Sequence, residues 1–587
     1  MLRFLVRLFA VIGLLVVVTI VSGLAAWQHF RDRPTAVPRN AVLTLALNKP
    51  LRENTPDTPF SGLLGEQVAS LHDIVEAIDQ ASRDPRVKAL KVRLGAQDIN
   101  MAKAQELRDA VLRFRAAGKR TYAFADSFGE LSPANRSYYL ASAFEQIWLQ
   151  PVGMLGLTGT AAEVPFARRA LDKLGLDPQL DHREQYKSAM DSLTESDFTP
   201  ANREMVESLT HDLNDQLLAG IAEGRHIDVA TLRGIVDRGP FTADEAKDLK
   251  LIDHIGYDDE LQSLAIDQAG SDADDMNLLT YADAADDPMG QGPTVALIFG
   301  VGTIARGESH DSGIGGNIMG ADTVAKAFND AADDDDVKAI LFRINSGGGS
   351  AVASETIRHA VQHARDAGKP VVVSMGDMAG SGGYWIAMNA DRIVAQPGSL
   401  TGSIGVFAGK IVTSGLWQWL GINWGRIDQG ANADFWSDKA GYTDAGHQRL
   451  EAALDDIYGA FKRNVAQARK LPADKVEDIA KGRVWTGSQA KTLGLVDALG
   501  GMETALAQVR EVAGLPAGSP ISLEEFPEQK SPFEQIKGLL SGDSGARSIR
   551  ELATGMAGVA LESVAQWLSL GTQTLQTPPT GLVHGVD

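Results

Sequence analysis

The stretch VKAILFRINSGGGSAVASETIRHAVQHARDAGKPVVVSMGD, residues 337–377, has the pattern of a strand, a helix and a second strand. The apolar runs at its two ends lack the strict alternation of a half-buried strand, which is typical of strands buried on both faces. Between them, Ile357, Ala360 and Ala364 recur at helical spacing, and Gly368 follows as a helix end. This order of elements predicts a mostly parallel α/β sheet with right-handed crossovers.

The same pattern occurs twice, because segments of the first half of the chain recur in order in the second half, 246 to 250 residues later. The matched pairs are DPRVKALKVRLG (84–95) with DDDVKAILFRIN (334–345), AAGKRTYAFADS (116–127) with DAGKPVVVSMGD (366–377), YYLASAFEQIWLQP (138–151) with YWIAMNADRIVAQP (384–397), and KLGL (173–176) with WLGI (419–422). Such an ordered series indicates a tandem duplication of one α/β domain.

The duplication and the composition together predict five parts. They are an N-terminal membrane anchor (1–34), a first repeat (38–267), an acidic linker with Gly and Pro near its end (268–293), a second repeat (294–510), and a tail with two amphipathic helices (511–587). Each repeat is large enough to form its own core, since domains of this size are common.

The N-terminus predicts a single membrane span. Arg3 and Arg7 are followed by no further charge until Arg31, and the twenty residues from Leu8 to Trp27 are largely apolar. About 20 apolar residues suffice to cross the hydrocarbon core as a helix, and the two arginines are expected to stay on the cytoplasmic side. A cleaved signal peptide is the alternative, because SGLAA offers small residues to a peptidase. The length of the apolar run favours an uncleaved anchor with the remaining chain exported.

The overall composition excludes several classes of function. The 587 residues carry a net charge of −21, so there is no basic surplus to bind nucleic acid. The absence of cysteine excludes disulfides, cysteine nucleophiles and thiolate metal sites. The eleven histidines show no metal-ligand spacing such as H-E-x-x-H. We therefore expect neither a metal nor an organic cofactor.

A serine between glycines is the first candidate for chemistry. Ser381 lies in DMAGSGGYWIAMNA (377–390), directly before a predicted helix, where free backbone N–H groups and the helix dipole are available. The glycine-rich turn in INSGGGS follows a strand and opens another helix, so its amides can also point at a developing negative charge. Gly348 and Gly382 are therefore the candidate oxyanion-hole residues, with Ser381 as the candidate nucleophile.

The first repeat lacks this apparatus and has a lysine instead. Asn135 lies where the second repeat has Ser381, and Leu157 lies where it has Ser403. In turn, the first repeat has Lys187 in YKSA, for which the second repeat offers only the nearby Lys439 as a substitute. A lysine can act as a general base for serine when burial lowers its pKa. The first repeat lacks the serines of the second, and the second lacks a lysine at the position of Lys187. This pattern favours Lys187 as the base and a site shared between the two repeats.

The motifs NSGGGS, MAGSGGYWIA, LTGSIGV and YKSA resemble the signal peptide peptidase A family, in its long form with two tandem domains. The resemblance extends from the anchor to about residue 510. It implies a Clp-protease/crotonase-like fold, a serine/lysine dyad split between the repeats, and a membrane-anchored homotetramer. By motif position Ser381 is the nucleophile, Lys187 is the base, and Ser403 orients the lysine. Gly347 departs from the family, which often has proline there.

The expected function is a serine endopeptidase of the bacterial inner membrane, with a single span and the catalytic part in the periplasm. Its expected substrates are cleaved signal peptides and similar short apolar peptides. One alternative is a crotonase-like acyl-CoA enzyme, which would share the fold and the glycine amides but would not need Ser381 and Lys187. A non-catalytic scaffold of the cell envelope is the other alternative, although a scaffold gives no reason for one half-site in each repeat.

Overall fold

The computed structural model describes residues 36–54, 70–95, 99–285, 292–311 and 316–527. The predicted anchor and the two amphipathic segments of the tail lie outside these residues. Within the described part of the chain, no helix is long and apolar enough to span a membrane.

The first repeat is built around a parallel sheet. Its strands are β1 (Asn40–Leu47), β2 (Val87–Leu94), β3 (Arg120–Ala125), β4 (Gln146–Leu149), β5 (Met154–Leu155), β6 (Asp177–His182), β7 (Phe241–Thr242), β8 (His254–Ile255) and β9 (Ala273–Asn277). Six of them form one sheet in the order β8-β4-β3-β2-β1-β9, with every neighbouring pair parallel. β5 and β7 form a short antiparallel pair beside it.

Helices cover both faces of this sheet. They are α1 (Leu71–Arg83), α2 (Met101–Ala116), α3 (Asn135–Ala141), α4 (Arg168–Lys173), α5 (Asp191–Thr194), α6 (Pro200–Arg225), α7 (Val229–Val236), α8 (Ala243–Asp248), α9 (Asp258–Ala269) and α10 (Leu278–Ala284), with a 3₁₀ turn at Ser188–Met190. Successive strand residues point to opposite faces. Val42 packs with Leu261 of α9, whereas Leu43 belongs to the core formed with α1 and α2.

The second repeat has the same plan with a larger sheet. Its strands are β10 (Thr294–Val301), β11 (Thr303–Ala305), β12 (His310–Asp311), β13 (Asn317–Gly320), β14 (Val337–Ser346), β15 (Val371–Gly380), β16 (Arg392–Ala395), β17 (Leu400–Gly402), β18 (Phe407–Val412), β19 (Val484–Thr486), β20 (Ala498–Leu499) and β21 (Ser522–Phe526). The main path is β19-β17-β15-β14-β10-β21, and β16 and β20 extend from β15. Among the described strands of this sheet, only β17 and β19 form an antiparallel pair.

The helices of the second repeat again lie on both faces. They are α11 (Ala321–Asp333), α12 (Ala351–Asp366), α13 (Gly382–Ala387), α14 (Ser414–Trp419), α15 (Asp444–Arg469), α16 (Ala473–Ile479), α17 (Gly487–Leu493) and α18 (Met502–Val512). Ile340 and Phe342 face α11 and α12, whereas Leu341 packs against Val509 of α18. Burial on both faces explains the unbroken apolar runs of the sequence, and the predicted α/β class with two tandem parallel sheets is confirmed.

Equivalent contacts in the two repeats reflect the duplication. The Tyr138 hydroxyl donates to the Leu251 carbonyl oxygen, and the Tyr384 hydroxyl donates to that of Leu495 at 3.0 Å. Both tyrosines are buried and lie on the short helix that follows the third long strand of each repeat. The two domains therefore share their internal packing as well as their sequence pattern.

The segment predicted as a linker is largely structured. Residues 273–277 form the edge strand β9, which pairs in parallel with β1, and α10 follows with Leu278 and Tyr281 buried. In the second repeat β21, at the start of the predicted tail, pairs with β10 in the same way. An edge strand needs backbone pairing on one side only, so the acidic sequence DADDMN is compatible with β structure when Met276 is its one buried side chain.

Two features join the repeats. β6 of the first repeat pairs antiparallel with β18 of the second, from His182 opposite Phe407 to Asp177 opposite Val412. A buried ion-pair network lies beneath the Ser381 strand, where Arg343 contacts Glu53 at 3.0 Å and Glu106 at 2.8 Å. Lys103 of the first repeat also contacts Asp377 of the second at 3.1 Å. These contacts hold the two halves of the candidate site together.

Candidate active site

Ser381 sits at a sharp turn between β15 and α13. Its φ of 54° and ψ of −118° lie outside the usual regions for a residue with a side chain, which is a form of strain that clusters at functional sites. The backbone N–H of Ser381 donates to the Gly402 carbonyl oxygen at 2.9 Å, and its carbonyl oxygen accepts the first hydrogen bonds of α13. The turn thus presents the hydroxyl at a helix N-terminus.

The glycine-rich turn after β14 packs directly against the serine turn. A Cβ atom on Gly348, whose φ is 105°, would lie 2.6 Å from the Gly382 nitrogen, so no larger residue fits. The Gly348 N–H donates to the Ser346 hydroxyl oxygen at 3.1 Å. The Gly382 N–H has no hydrogen-bond acceptor among the described residues. The two amides expected to form an oxyanion hole are therefore adjacent, but only that of Gly382 is free.

Lys187 reaches the same place from the first repeat. It follows β6 in a turn that is fixed by the Tyr186 N–H, which donates to the Lys481 carbonyl oxygen at 3.0 Å. The lysine stem crosses two glycines. A Cβ on Gly482 would lie 2.5 Å from the Lys187 Cβ, and one on Gly405 would lie 3.1 Å from its Cδ. Glycine at both positions therefore clears the path of the side chain.

The lysine amine contacts both serines of the second repeat. The Lys187 Nζ atom lies 3.0 Å from the Ser381 Oγ, 2.9 Å from the Ser403 Oγ and 3.0 Å from the Ser403 carbonyl oxygen. A neutral amine has two N–H donors and one lone pair. The carbonyl oxygen can only accept, and the Ser403 hydroxyl can accept the second N–H, which leaves the lone pair for the Ser381 hydroxyl proton.

Burial sets the charge of this amine. Lys187 is 3% exposed, and burial lowers its pKa from 10.5 to about 7 because the charged form loses its hydration. No carboxylate within reach offsets this effect, so a large fraction of the amine is neutral at neutral pH. Ser403 also has a positive φ of 50°, and its N–H donates to the Arg483 carbonyl oxygen at 2.8 Å. This turn aims two oxygens of one residue at the lysine.

The positions that match the site in the first repeat have a different role. The Asn135 side-chain oxygen accepts from the N–H groups of Thr158 and Gly159, and its amide group donates to the Gly159 carbonyl oxygen. Asn135 therefore ties its own turn together in place of a serine hydroxyl. In the second repeat, Lys439 pairs with Asp438 and lies over the ring of Trp424, away from the Ser381 hydroxyl.

The sequence did not predict some of the residues that shape the site. Gly405 and Gly482 make room for the lysine stem, and the Arg483 guanidinium, which lies over the Tyr186 ring, pairs with Glu204 of α6 at 2.7 Å. Gly405 stands in the quoted motif LTGSIGV, but nothing in its sequence spacing links it to a lysine more than 200 positions earlier. In the described ranges, no group of three His, Asp or Glu side chains is arranged to hold a metal ion.

Comparison with known proteins places this chain in a family. The sequence profile of peptidase family S49 matches residues 113–272 and 363–516, once in each repeat. Protease 4 of Salmonella typhi is 33% identical over 532 residues, which cover 86% of this chain and 84% of the relative. The chloroplastic serine protease SPPA of Arabidopsis thaliana is 28% identical over 524 residues, or 88% of this chain and 74% of the relative.

One similar solved structure is a mutant of ClpP1 from Listeria monocytogenes, with 14% identity, a TM-score of 0.24 and coverage of 36% of this chain and 94% of its own. The matches to the S49 profile and to Protease 4 extend over both repeats, including the regions of Lys187 and Ser381. The chain belongs to peptidase family S49 and is a serine peptidase.

Proposed function

We propose that Ser381 is the nucleophile of a Ser/Lys dyad and that Lys187 is its general base. The observation that carries the proposal is the contact of 3.0 Å between the Lys187 Nζ and the Ser381 Oγ, made by an amine whose pKa is lowered to about 7 by burial. A general base must lie within hydrogen-bond reach of the proton that it takes and must be largely unprotonated at the working pH. Lys187 meets both requirements.

In this mechanism, the Ser381 Oγ attacks the carbonyl carbon of the peptide bond while the Lys187 Nζ takes its proton. The negative charge that develops on the carbonyl oxygen is stabilised by the Gly382 N–H and, once it leaves the Ser346 hydroxyl, by the Gly348 N–H. The protonated Lys187 then gives its proton to the leaving amine, which produces an acyl-enzyme and a free amino end. A water molecule, activated by the same lysine, releases the acyl group and restores the serine.

Ser403 has the role of orienting the base. Its carbonyl oxygen and hydroxyl oxygen lie 3.0 Å and 2.9 Å from the Lys187 Nζ, so they hold the two N–H groups and direct the remaining lone pair towards Ser381. The buried amine would otherwise have rotational freedom about its terminal bonds, and general-base catalysis is sensitive to such misalignment.

The substrates that we propose are cleaved signal peptides and similar short apolar peptides. The resemblance of the motifs around Ser381 and Lys187 to the signal peptide peptidase A family supports this choice. The apolar run of residues 8–27 supports a membrane anchor that keeps the enzyme beside such substrates, with its catalytic part on the periplasmic side of the bacterial inner membrane. The same resemblance supports a homotetramer as the working assembly.

Replacing Ser381 with alanine tests the nucleophile. We expect Ser381→Ala to reduce kcat for a peptide substrate by about 10⁶-fold, as removal of a serine nucleophile does elsewhere. The melting temperature should stay unchanged, because the substitution removes one hydroxyl and keeps the backbone strain. In parallel, a serine-reactive phosphonate should modify the unaltered chain at Ser381 and leave the variant unmodified. Substantial hydrolysis by Ser381→Ala, or an adduct on another serine, would exclude this assignment.

A further inference from the structure

The loop of residues 481–485 in the second repeat contacts both the turn of the proposed base and the residue that orients the base. The Lys481 carbonyl oxygen accepts from the Tyr186 N–H at 3.0 Å, directly before the base in sequence. The Arg483 carbonyl oxygen accepts from the Ser403 N–H at 2.8 Å. The backbone of this loop therefore helps to set the position of the base relative to its orienting serine.

The Arg483 side chain extends from this loop to the first repeat. Its guanidinium lies over the Tyr186 ring, 4.8 Å from the centroid, and donates to the Glu204 Oε1 at 2.7 Å. The Tyr186 hydroxyl donates to the other carboxylate oxygen of Glu204, also at 2.7 Å. These three side chains, Arg483, Tyr186 and Glu204, form a closed ring of contacts that we call the clasp.

Two sides of the clasp are attached to regular structure. Glu204 lies near the start of the long helix α6, and the buried Met205 beside it accepts from the Val484 N–H through its sulfur at 3.2 Å. The guanidinium also lies 4.6 Å from the centroid of the Trp485 ring in β19. Tyr186 belongs to no helix or strand. The clasp therefore joins the turn that carries the base to a helix of the first repeat and a strand of the second.

The clasp exists only across the junction that carries the proposed dyad. The two repeats align at an offset of 244 in this region, where α6 and α8 of the first repeat match α15 and α17 of the second. At this offset, Gly239 lies where the second repeat has Arg483, and Gln448 lies where the first repeat has Glu204. The first repeat thus lacks the arginine and the second lacks the glutamate, just as each lacks one member of the dyad.

The ion pair of the clasp is placed where it adds little to stability. The Glu204 side chain is 57% exposed, and exposed pairs contribute little to the free energy of unfolding. The geometry of a catalytic group is far more sensitive, because a misplacement of about 1 Å can lower a rate by about 10²-fold. These contacts therefore have more consequence for the alignment of the base than for the fold.

We propose that Arg483 and Glu204 are positioning residues, which hold the turn that carries Lys187 so that its amine stays buried beside the Ser381 hydroxyl. The clasp side chains contact the turn and not the serine hydroxyl, so they act through the lysine. The inference rests on the proposed function, because it takes Ser381 and Lys187 as the dyad.

Opening the clasp would give water access to the lysine amine. Burial is the cause of the lowered pKa of Lys187, so partial exposure raises that pKa towards its usual value of 10.5. The turns at residues 378–383 and 400–406 contain no ionisable side chain. Those on the other surrounding elements are His182, Arg183, Glu184, Tyr186 and Asp191 near the lysine in sequence, Arg203, Glu204 and Glu207 on α6, and Lys481 and Arg483 on the facing loop.

The opposite charges of the two positioning residues make the test specific. Loss of the Arg483 charge alone would raise the pKa of the lysine amine, and loss of the Glu204 charge alone would lower it. Opening the clasp raises that pKa in both cases. An upward shift in both variants therefore separates positioning from a simple charge effect.

The test measures kcat and KM of full-length variants on a peptide substrate between about pH 6 and 10. We expect Arg483→Met and Glu204→Ala each to lower kcat/KM at pH 7 by about tenfold, mainly through kcat. Their apparent pKa should rise by about one unit, so that the loss is smaller at pH 9. Tyr186→Phe should shift less in the same direction, because its ring stays beneath the guanidinium. The melting temperature of Glu204→Ala should change little, since this side chain is exposed.

A matched control and a double variant complete the test. Arg392→Met breaks an exposed pair with Glu511 at 3.1 Å, at the start of β16 and far along β15 from the proposed nucleophile. It should leave kcat/KM and its pH profile unchanged. Arg483→Met combined with Glu204→Ala should lose no more than about twofold beyond either single variant, because the first substitution already opens the clasp.

Each other outcome overturns the inference in a recognisable way. A rise in KM alone, with an unchanged pH profile, would mean that Arg483 binds substrate. Shifts of the apparent pKa in opposite directions would leave only a charge effect. Variants that match the unaltered chain would exclude the clasp while Lys187 remains the base. Full activity of Lys187→Met would instead exclude the dyad, and the inference with it.

Discussion

At the scale of single residues, the charge of Lys187 links the structure to the proposed chemistry. The amine is 3% exposed, and burial alone lowers its pKa to about 7. Its neighbours are hydroxyl and carbonyl oxygens rather than carboxylates, so they orient the neutral form without restoring the charge. Glycines at 405 and 482 let the lysine stem pass through the buried interior. The same burial that would allow Lys187 to act as the proposed base should also cost stability.

The pH dependence of activity should follow this amine. We expect kcat/KM to rise with pH through an apparent pKa of about 7, because only neutral Lys187 can take the serine proton. Lys187→Met and Lys187→Arg should both lose about 10²–10⁴-fold in kcat/KM, the range that general-base catalysis supplies. Lys439→Met is the matched control and should retain full activity with an unchanged profile. If kcat/KM rises only near pH 10, or if Lys439→Met loses activity while the Lys187 variants do not, Lys187 is not the general base.

The free energy of unfolding should also depend on pH, because the pKa of Lys187 is lower in the folded state than in the unfolded state. Between pH 7 and 10.5 the lysine is neutral in the folded state and protonated in the unfolded state. In this range the unfolded state binds one more proton than the folded state. Lys187 therefore makes the free energy of unfolding increase by about 1.4 kcal/mol for each unit by which the pH rises from 7 towards 10.5. Denaturant unfolding at pH 7, 8 and 9 should show that Lys187→Met lacks this slope. The same pH dependence of the free energy of unfolding in the unaltered chain and in Lys187→Met would contradict the lowered pKa of Lys187.

At the scale of elements, Ser381 and Lys187 reach each other because β15 and β6 belong to different repeats that are held in register. The β6–β18 pair fixes the lysine turn from one side. Arg343 on β14, with Glu53 and Glu106 of the first repeat, fixes the serine strand from below. The geometry of the dyad therefore depends on contacts between elements that are remote in sequence.

Replacing Glu106 should show how much this buried network contributes. Glu106→Ala leaves the buried Arg343 with one carboxylate and also removes the acceptor of the Met502 N–H. We expect the free energy of unfolding to fall by about 3–5 kcal/mol, as when one partner of a buried pair is lost. Lys326→Ala is the control. It breaks the exposed pair with Asp330, which should change stability by about 0–1 kcal/mol. Equal effects of the two substitutions in urea unfolding would show that the network contributes little.

The elements also show what the sequence can and cannot predict. The strands and helices of residues 337–377 were predictable because burial on both faces leaves a strong apolar signal. Ser381 became a candidate from its glycine neighbours and its place before a helix, and Lys187 became one because the duplication reveals what each repeat lacks. The edge strand β9 was not predictable from its acidic side chains, since backbone pairing with β1 holds it. The clearance at Gly482 was also hidden, because it depends on a contact between the two repeats.

At the scale of the whole molecule, the duplication permits one active site where two identical domains would give two. In the proposed dyad, the first repeat supplies the base and the second supplies the nucleophile and its glycine amides, and the Lys187 Nζ and the Ser381 Oγ lie 3.0 Å apart. Because the two repeats are covalently joined, the first repeat can do without the serine and the second can do without the lysine, and the pair of side chains is still present in every chain. The first repeat then retains Asn135 as a structural residue, whose side-chain amide donates to the Gly159 carbonyl oxygen.

Mixing two inactive chains tests whether the dyad is complete within one molecule. The Lys187 Nζ lies 3.0 Å from the Ser381 Oγ of the same chain, so neither Ser381→Ala nor Lys187→Met contains both groups. Co-expression of the two variants should therefore give no activity above that of each alone, even when they assemble together. Ser381→Ala co-expressed with the unaltered chain is the control and should leave each unaltered chain fully active. If the lysine segment were exchanged between subunits, as in a domain swap, random mixing would restore about a quarter of the sites. Recovery near that level in a peptide hydrolysis assay would mean that β6 and its lysine turn cross to a neighbouring chain.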